Sequence, residues 1–225
     1  GPIARLPPMA DISLPQFRDF QLIGQGGGAD VYRAIRTSTG GDVAIKALLS
    51  TLDPATIARR ANREVGALVS LKGHPNIIQI EEVLQVNHGV YIVMEYAPGG
   101  SLADRIKRDG RVDAATTMSI GAQIASALAA AHSKSILHRD VKPHNILFGL
   151  YGAAKLCDFG IALLTLGGET SHTSAISIRY ASPEELDGAV LTSASDVYSL
   201  GATLLHAYVG RPADLNERLG GIDGL

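Results

Sequence analysis

His138-Arg139-Asp140-Val141-Lys142-Pro143-His144-Asn145, followed by Asp158-Phe159-Gly160, is the stretch on which the fold of this chain turns. It offers a carboxylate that can orient a hydroxyl (Asp140), a cation beside it (Lys142) and an amide oxygen suited to a hard metal ion (Asn145). A second carboxylate for that ion, Asp158, arrives from the next hairpin. Phosphoryl transfer from ATP asks for such parts, because it depends on positioning and charge neutralisation more than on covalent chemistry. Asp140 and Asn145 stand five positions apart, so a tight loop can aim both at one point. Each short string alone could be chance; the order and spacing of all of them are hard to explain otherwise.

Working outward, Gly24-Gln25-Gly26-Gly27-Gly28-Ala29-Asp30-Val31 lies between two stretches of strand character. Glycines let a backbone approach phosphate oxygens and present bare N–H groups. With 25 glycines in the chain, an ordinary hairpin turn explains the cluster as well. Val43-Ala44-Ile45-Lys46 sets a lysine on an otherwise apolar strand. It reads either as an edge-strand charge or as a functional cation, and Glu64 on the following helix favours the second.

Strands are expected over 20–23, 30–35, 42–48, 77–86 and 90–94, with one helix over 54–71 whose apolar residues recur at helical spacing. After Ala97-Pro98-Gly99-Gly100 the character changes. Ser101-Leu102-Ala103-Asp104 reads as a capping box opening a short helix. A long helix is expected over 113–132, with Ile120, Ile124 and Leu128 every fourth position, and another over 195–209. The pattern predicts an α+β chain, a small antiparallel strand lobe followed by a helical lobe with a ligand cleft between them. The divisions are an extended, proline-rich leader over 1–16, a first lobe over 17–96 and a second over 97–225.

The 225 residues carry 20 basic and 22 acidic side chains, a net charge of −2, so bulk charge gives no support to nucleic-acid binding. The single cysteine, Cys157, excludes an internal disulfide and fits a reducing, cytoplasmic compartment. No uninterrupted apolar run is long enough to span a bilayer, so no membrane segment is expected in this chain. Gly1-Pro2 looks like a cleavage scar, and the natural protein is expected to extend further, with room for a membrane anchor elsewhere.

Taken together, these segments resemble the protein kinase family in its serine/threonine branch, from about Phe17 to about Pro212. The resemblance implies ATP as phosphoryl donor, Mg2+ (with Mn2+ as a substitute) and a protein substrate. It makes Asp140 the base for the acceptor hydroxyl, Lys142 the cation that steadies the moving phosphate, and Asn145 and Asp158 the metal ligands. Lys46 would contact the α- and β-phosphates with Glu64 holding it. Gly24 and Gly26 would cover the phosphates, Val31, Ala44 and Leu147 would sandwich the adenine, Met94 would close the back of the pocket, and Glu95 to Ala97 would pair with the base. Leu68, Ile80, His138 and Phe159 would stack as an internal column. Gly28 and Ala29 stand where relatives have an aromatic residue and a third glycine, which points to a floppier loop and weaker ATP binding.

In the same likeness Lys142 favours serine or threonine over tyrosine, and the His-Arg-Asp order disfavours small-molecule substrates. Arg139 would receive a phosphate on the activation segment, with Thr170, Ser171, Thr173 and Ser174 as autophosphorylation candidates. Ser177 would belong to the substrate platform. Asp196 would anchor the catalytic loop, or else sit as a helix N-terminal carboxylate. The run Ser195 to Leu200 and the alanine-rich helices resemble bacterial members. Helices that relatives carry after about Pro212 are not recognisable, so the last part of the second lobe reads as missing: either the sequence is cut short, or this is a reduced kinase whose exposed apolar surface a second copy or a partner covers. The competing expectation is a nucleotide-binding, pseudokinase-like interaction module with little turnover.

Overall fold

The computed structural model describes residues 14–26, 29–48, 54–86, 89–159 and 177–213. The described residues divide into two compact units, each with its own core. One takes in residues up to Gly73 and Ile78–Ala97; the other takes in His74–Ile77 and the described residues from Pro98 onward.

The first unit is a five-stranded antiparallel sheet with one helix. Its strands are β1 (Phe17–Gly26), β2 (Ala29–Arg36), β3 (Asp42–Leu48), β4 (Ile80–Val86) and β5 (Gly89–Glu95), in the spatial order β1-β2-β3-β5-β4. The helix α1 (Pro54–Leu68) runs on into a 3₁₀ turn, Val69–Leu71. Alternation along β3 divides its side chains between the two sheet faces. Val43, Ile45 and Ala47 join Phe17, Ala34, Tyr91 and Val93 in one buried cluster. Leu14, in the stretch read as a leader, is buried in that cluster too. Strand β4 starts at Ile80, not at Ile77 as the apolar run suggested. Ile77 makes a parallel bridge to Leu156, and Asn76 gives its side-chain amide to the Ala154 carbonyl at 2.9 Å. The start of the run therefore serves the second unit.

The second unit is mainly helical: α2 (Leu102–Asp109), α3 (Ala114–His132), α4 (Pro183–Leu186) and α5 (Ser193–Val209). A two-stranded hairpin, β6 (Ile146–Phe148) with β7 (Ala154–Leu156), lies among them. The capping box at α2 is present in both directions: Asp104 N–H donates to Ser101 Oγ at 3.0 Å, and Ser101 N–H donates to Asp104 Oδ2 at 2.9 Å. Asp113 caps α3 through the Thr116 N–H. Helix α3 has the length and apolar composition of a membrane span. Its Ile120, Ile124 and Leu128 are nevertheless buried, and it packs on α5 and β7 as a core helix does. Helix α5 begins two residues earlier than expected, because Thr192 and Ser195 form a second capping box. One stripe of α5 faces solvent, with Val197, Leu205 and Tyr208 about half exposed.

Gly210 closes α5 in the left-handed region at φ +88°, its N–H donating to His206 O at 2.8 Å. A Cβ there would stand 2.4 Å from the backbone oxygen of Gly110. That contact ties the end of α5 to the end of α2. Gly210→Ala is expected to destabilise the domain by about 1–3 kcal/mol, from strained φ and the forced clash. Urea denaturation measures it, and a loss under about 0.5 kcal/mol would contradict the reading.

Candidate functional site

The catalytic loop is built on α3, α5 and the β6–β7 hairpin, all within the second unit. Asp196, on the first turn of α5, is only 2% exposed and reaches up to the loop backbone. Its Oδ2 accepts the His138 N–H at 2.8 Å and lies 2.7 Å from His132 Nε2; its Oδ1 accepts the Arg139 N–H at 2.8 Å. Arg139 itself sits at φ +68°, a conformation that a non-glycine residue keeps only where its surroundings impose it. The Thr203 hydroxyl, two turns along α5, donates to the Val141 carbonyl at 3.3 Å. Three consecutive-chain anchors thus fix the backbone on either side of Asp140. Helix position and anchor go together for Asp196, which is both an N-terminal carboxylate and the support of the loop.

His138 is buried and bonded at both ring nitrogens. Nε2 lies 2.7 Å from the Cys157 carbonyl, and Nδ1 accepts the Asp140 N–H at 3.2 Å. Those partners assign the neutral tautomer with hydrogen on Nε2. Its ring meets Phe159 edge-on at 4.7 Å. Burial holds the His138 pKa below the usual 6.5, against the raising pull of the Cys157 carbonyl and of Asp196, Asp140 and Asp158. The unfolded chain takes up this proton near 6.5 while the folded chain resists it. Stability is therefore full above 6.5 and is lost as pH falls toward the folded value. Urea denaturation between pH 7.5 and 5.5 is expected to show stability falling by up to about 1.4 kcal/mol per pH unit for this proton. A flat profile across that window would count against a buried neutral His138.

From this support the functional side chains converge. Asp140 Oδ2 lies 2.7 Å from Lys142 Nζ and accepts the Asn145 amide N–H at 3.0 Å. The same amide donates to the Asp140 carbonyl at 2.7 Å. Lys142 reaches on to Ser177 Oγ at 2.9 Å. Asn145 is buried, and because its nitrogen is committed to Asp140, its amide oxygen is left without a partner among the described residues. The Cys157 N–H donates to the Asn145 carbonyl at 2.9 Å, extending the hairpin ladder past Ile146–Leu156. Asn145 and Asp158 therefore leave the same end of one hairpin. Asp158 holds φ +66°, a second left-handed non-glycine residue beside the loop. Among the described residues no three His, Cys, Asp or Glu gather as a metal cluster. One amide oxygen with one carboxylate suits Mg2+, which keeps water and phosphate oxygens in most of its shell.

The first unit gathers the residues expected to meet the nucleotide. Register pairs Gly24 with Val31, Val31 with Lys46, Lys46 with Ile92 and Ala44 with Met94. Val31, Ala44, Lys46 and Met94 thus share the sheet face opposite the Phe17 cluster. Gly24 and Gly26 end β1 and Ala29 begins β2, so the glycine cluster is also a hairpin; Gly27 and Gly28 lie outside the described residues. Lys46 is on the central strand, flanked by β2 and β5, which removes the edge-strand explanation of its charge. Glu64 lies on α1, its side chain outside the described residues. Glu95 ends β5, where its N–H donates to Gln79 O at 2.9 Å. Ala97 follows β5 and is 8% exposed. Leu147 sits on β6 in the second unit, bridged to Ser101. Thr170, Ser171, Thr173 and Ser174 lie outside the described residues.

Comparison with known proteins decides the family. Residues 17–218 match the family model described as the protein kinase domain. The chain belongs to the protein kinase family. The kinase domain is 45% identical over 199 residues to serine/threonine-protein kinase PknK of Mycobacterium tuberculosis, covering 88% of this chain and 18% of PknK. It is 38% identical over 199 residues to serine/threonine-protein kinase PrkC of Bacillus subtilis, covering 87% of this chain and 31% of PrkC. A plant relative, CBL-interacting serine/threonine-protein kinase 24 of Arabidopsis thaliana, is 36% identical over 191 residues, 84% of this chain and 43% of that protein. The kinase domain thus spans less than half the length of these relatives. It is of the bacterial serine/threonine type, α+β in class, and its family uses ATP and Mg2+.

Several partners in this kinase domain escaped the sequence reading. Thr203 lies seven positions after Asp196, on the same face of α5, so helical spacing could have found it. His132 carried no such signal. Ser195 donates to Glu184 Oε1 at 2.6 Å, a bond between α5 and α4 that no local spacing announces. Tyr180 lies 2.8 Å from Nδ1 of His206 with the rings stacked, which joins the end of the activation segment to α5.

Proposed function

We propose that the full-length protein uses this domain to move the γ-phosphoryl group of ATP to serine and threonine hydroxyls of proteins, its own activation segment included. The observation that carries the reading is the set Asp140, Lys142 and Asn145 on a loop held by Asp196, linked at 2.7–3.0 Å to one another and to Ser177. In this reading the Asp140 carboxylate accepts the proton of the acceptor hydroxyl as the hydroxyl oxygen bonds to the γ-phosphorus, while the bond from that phosphorus to the β–γ bridging oxygen breaks and ADP leaves. Lys142 balances charge on the moving group, and Ser177 presents the substrate backbone. Asn145 and Asp158 would hold Mg2+, which supplies neutralisation of the β- and γ-phosphate oxygens when bound. Lys46, positioned by Glu64, would take the α- and β-phosphates, beneath Gly24 and Gly26. Val31, Ala44, Met94, Glu95, Ala97 and Leu147 would hold the base. Arg139, exposed beside the anchored loop, would receive a phosphate carried by Thr170, Ser171, Thr173 or Ser174. A cytoplasmic setting supplies both the ATP and the reducing conditions that suit a lone, buried Cys157.

Incubation with γ-labelled ATP, Mg2+ and a degenerate serine/threonine peptide mixture tests the assignment. Label is expected on the peptides and on at least one of the four activation-segment residues, mapped by mass spectrometry, and a chelator should abolish both. Absence of transfer with nucleotide still bound would overturn it in favour of a binding module.

A further inference from the structure

We propose that His206 is a positioning residue for phosphoryl transfer, which holds the Tyr180 hydroxyl, and with it the substrate-facing turn, only while its ring is neutral. The inference rests on the kinase reading above and adds a control of the same site by pH. A continuous run of hydrogen bonds joins His206 to the catalytic carboxylate. The Tyr180 hydroxyl lies 2.8 Å from His206 Nδ1. Tyr180 N–H donates to Ser177 O at 2.9 Å, closing the 3₁₀ turn Ser177–Arg179. Lys142 Nζ donates to Ser177 Oγ at 2.9 Å and lies 2.7 Å from Asp140 Oδ2. Helical spacing sets His206 on the same side of α5 as Asp196 and Thr203. One helix thus holds the catalytic loop through Asp196 and Thr203, and the substrate-facing turn through His206.

The direction of the first bond makes this run sensitive to protonation. Tyr180 is 4% exposed, and burial keeps its hydroxyl protonated against the opposing pull of Arg179. Its hydrogen meets no other acceptor among the described residues, so it goes to Nδ1, and the neutral ring carries its own hydrogen on Nε2. A proton on Nδ1 removes that acceptor and leaves the Tyr180 hydrogen buried without one, which is costly. The surroundings set when this happens. Burial first, then Arg179 on the turn and His144 on the catalytic loop, lower the His206 pKa from the usual 6.5. The α2–α3 junction, which packs on Ala207 and Gly210, brings exposed Arg111 and exposed Asp113, the latter committed to the Thr116 N–H. Helix α3 brings His132, and α4 brings Glu184, but their partners Asp196 and Ser195 stand at the other end of α5. The hold on Tyr180 is therefore full above pH 6.5 and is lost as pH falls through the lower folded value.

The test is steady-state kinetics on one serine peptide, from about pH 7.5 to about pH 5.0, a window that spans the ordinary histidine pKa. The unaltered chain is compared with His206→Leu, His206→Gln and Tyr180→Phe. At the upper pH, His206→Leu and Tyr180→Phe are expected to lower kcat/KM for the peptide about fivefold, the worth of one net hydrogen bond. His206→Gln has an amide oxygen that accepts the hydroxyl and takes up no proton, so it is expected to restore the rate to within about twofold. As pH falls, the ratio of the unaltered chain to His206→Gln is expected to drop about fivefold, while the ratio of Tyr180→Phe to His206→Gln stays flat. Titration of Asp140, of His138 and of the ATP phosphates is common to all forms and cancels in these ratios. Melting temperatures at each pH separate loss of fold from loss of position. Equal rates in all four forms, no rescue by glutamine, or a ratio flat across the window would overturn the role of His206. NMR titration of the His206 ring needs no turnover: its pKa is expected to rise toward 6.5 in Tyr180→Phe, and an unchanged value would overturn the bond's direction. If no form phosphorylates the peptide, the kinase reading fails, while the ring titration still upholds or overturns the hold on Tyr180.

Discussion

Asp140→Asn is expected to lower the rate of phosphoryl transfer by about 10²–10⁴-fold, the usual worth of a general base, while nucleotide affinity stays nearly unchanged. The substitution keeps the size of the side chain and one oxygen for Lys142, now 2.7 Å from Oδ2, and for the Asn145 amide at 3.0 Å. What it removes is the negative charge and the second acceptor. The loop remains held from below, because its anchors run from Asp196 to the backbone of His138 and Arg139 and do not pass through the Asp140 carboxylate. Nucleotide affinity is spared because the proposed nucleotide residues Val31, Ala44, Lys46 and Met94 belong to the sheet of the other unit. Single-turnover kinetics with saturating ATP and Mg2+, beside calorimetric titration of a non-hydrolysable ATP analogue, separates the two effects. Turnover equal to that of the unaltered domain would sink the assignment of Asp140, and a parallel loss of nucleotide affinity would make its role structural.

The parts of the site legible in the sequence are those set by short-range geometry. Asp140, Lys142 and Asn145 fall within six residues, so one loop had to carry all of them. The Ser101–Asp104 box and the α3 stripe of Ile120, Ile124 and Leu128 are equally local signals, and each element formed where its signal stood. Long-range pairing was not legible. Nothing in Val43-Ala44-Ile45-Lys46 tells that β5 will insert between β3 and β4, so the edge-strand reading of Lys46 could be dismissed only once the sheet order was known. The run over 77–86 reads as one strand because its apolar residues Ile77, Ile78, Ile80, Val83, Leu84 and Val86 recur from one end to the other. The Ile77 bridge to Leu156 that splits it joins residues almost eighty positions apart. His132 and His206 escaped for the same reason: a histidine on a helix looks like any half-buried polar residue until its partner is seen. The family resemblance filled some of these gaps by assigning Asp196, yet it gave no hint that Thr203 would hold the loop with it or that His132 would pair with it.

Removing the Asp196 carboxylate altogether should be the most damaging single change to the second unit. Asp196→Ala is expected to destabilise the domain by about 3–5 kcal/mol, the range for stripping one partner from a buried charged network. The chain of causes is specific. The N–H groups of His138 and Arg139 lose their acceptor, and an unsatisfied buried donor costs about 1–3 kcal/mol. His132 loses its partner at 2.7 Å. Arg139, at φ +68°, then has less to hold it in the left-handed region, and the loop can relax toward ordinary backbone. Asp196→Asn should cost less, because the shape and one oxygen remain, but its NH2 must face a donor that the second oxygen used to accept. Urea denaturation gives the stability of each variant, and the transfer assay gives the consequence for the site. With typical domain stabilities of about 5–15 kcal/mol, the alanine variant can remain folded at low temperature and still be inactive, since Asp140 is carried on the backbone that Asp196 holds. A loss below about 1 kcal/mol, or full activity in the alanine variant, would show that Thr203 and the β6–β7 hairpin hold the loop without it.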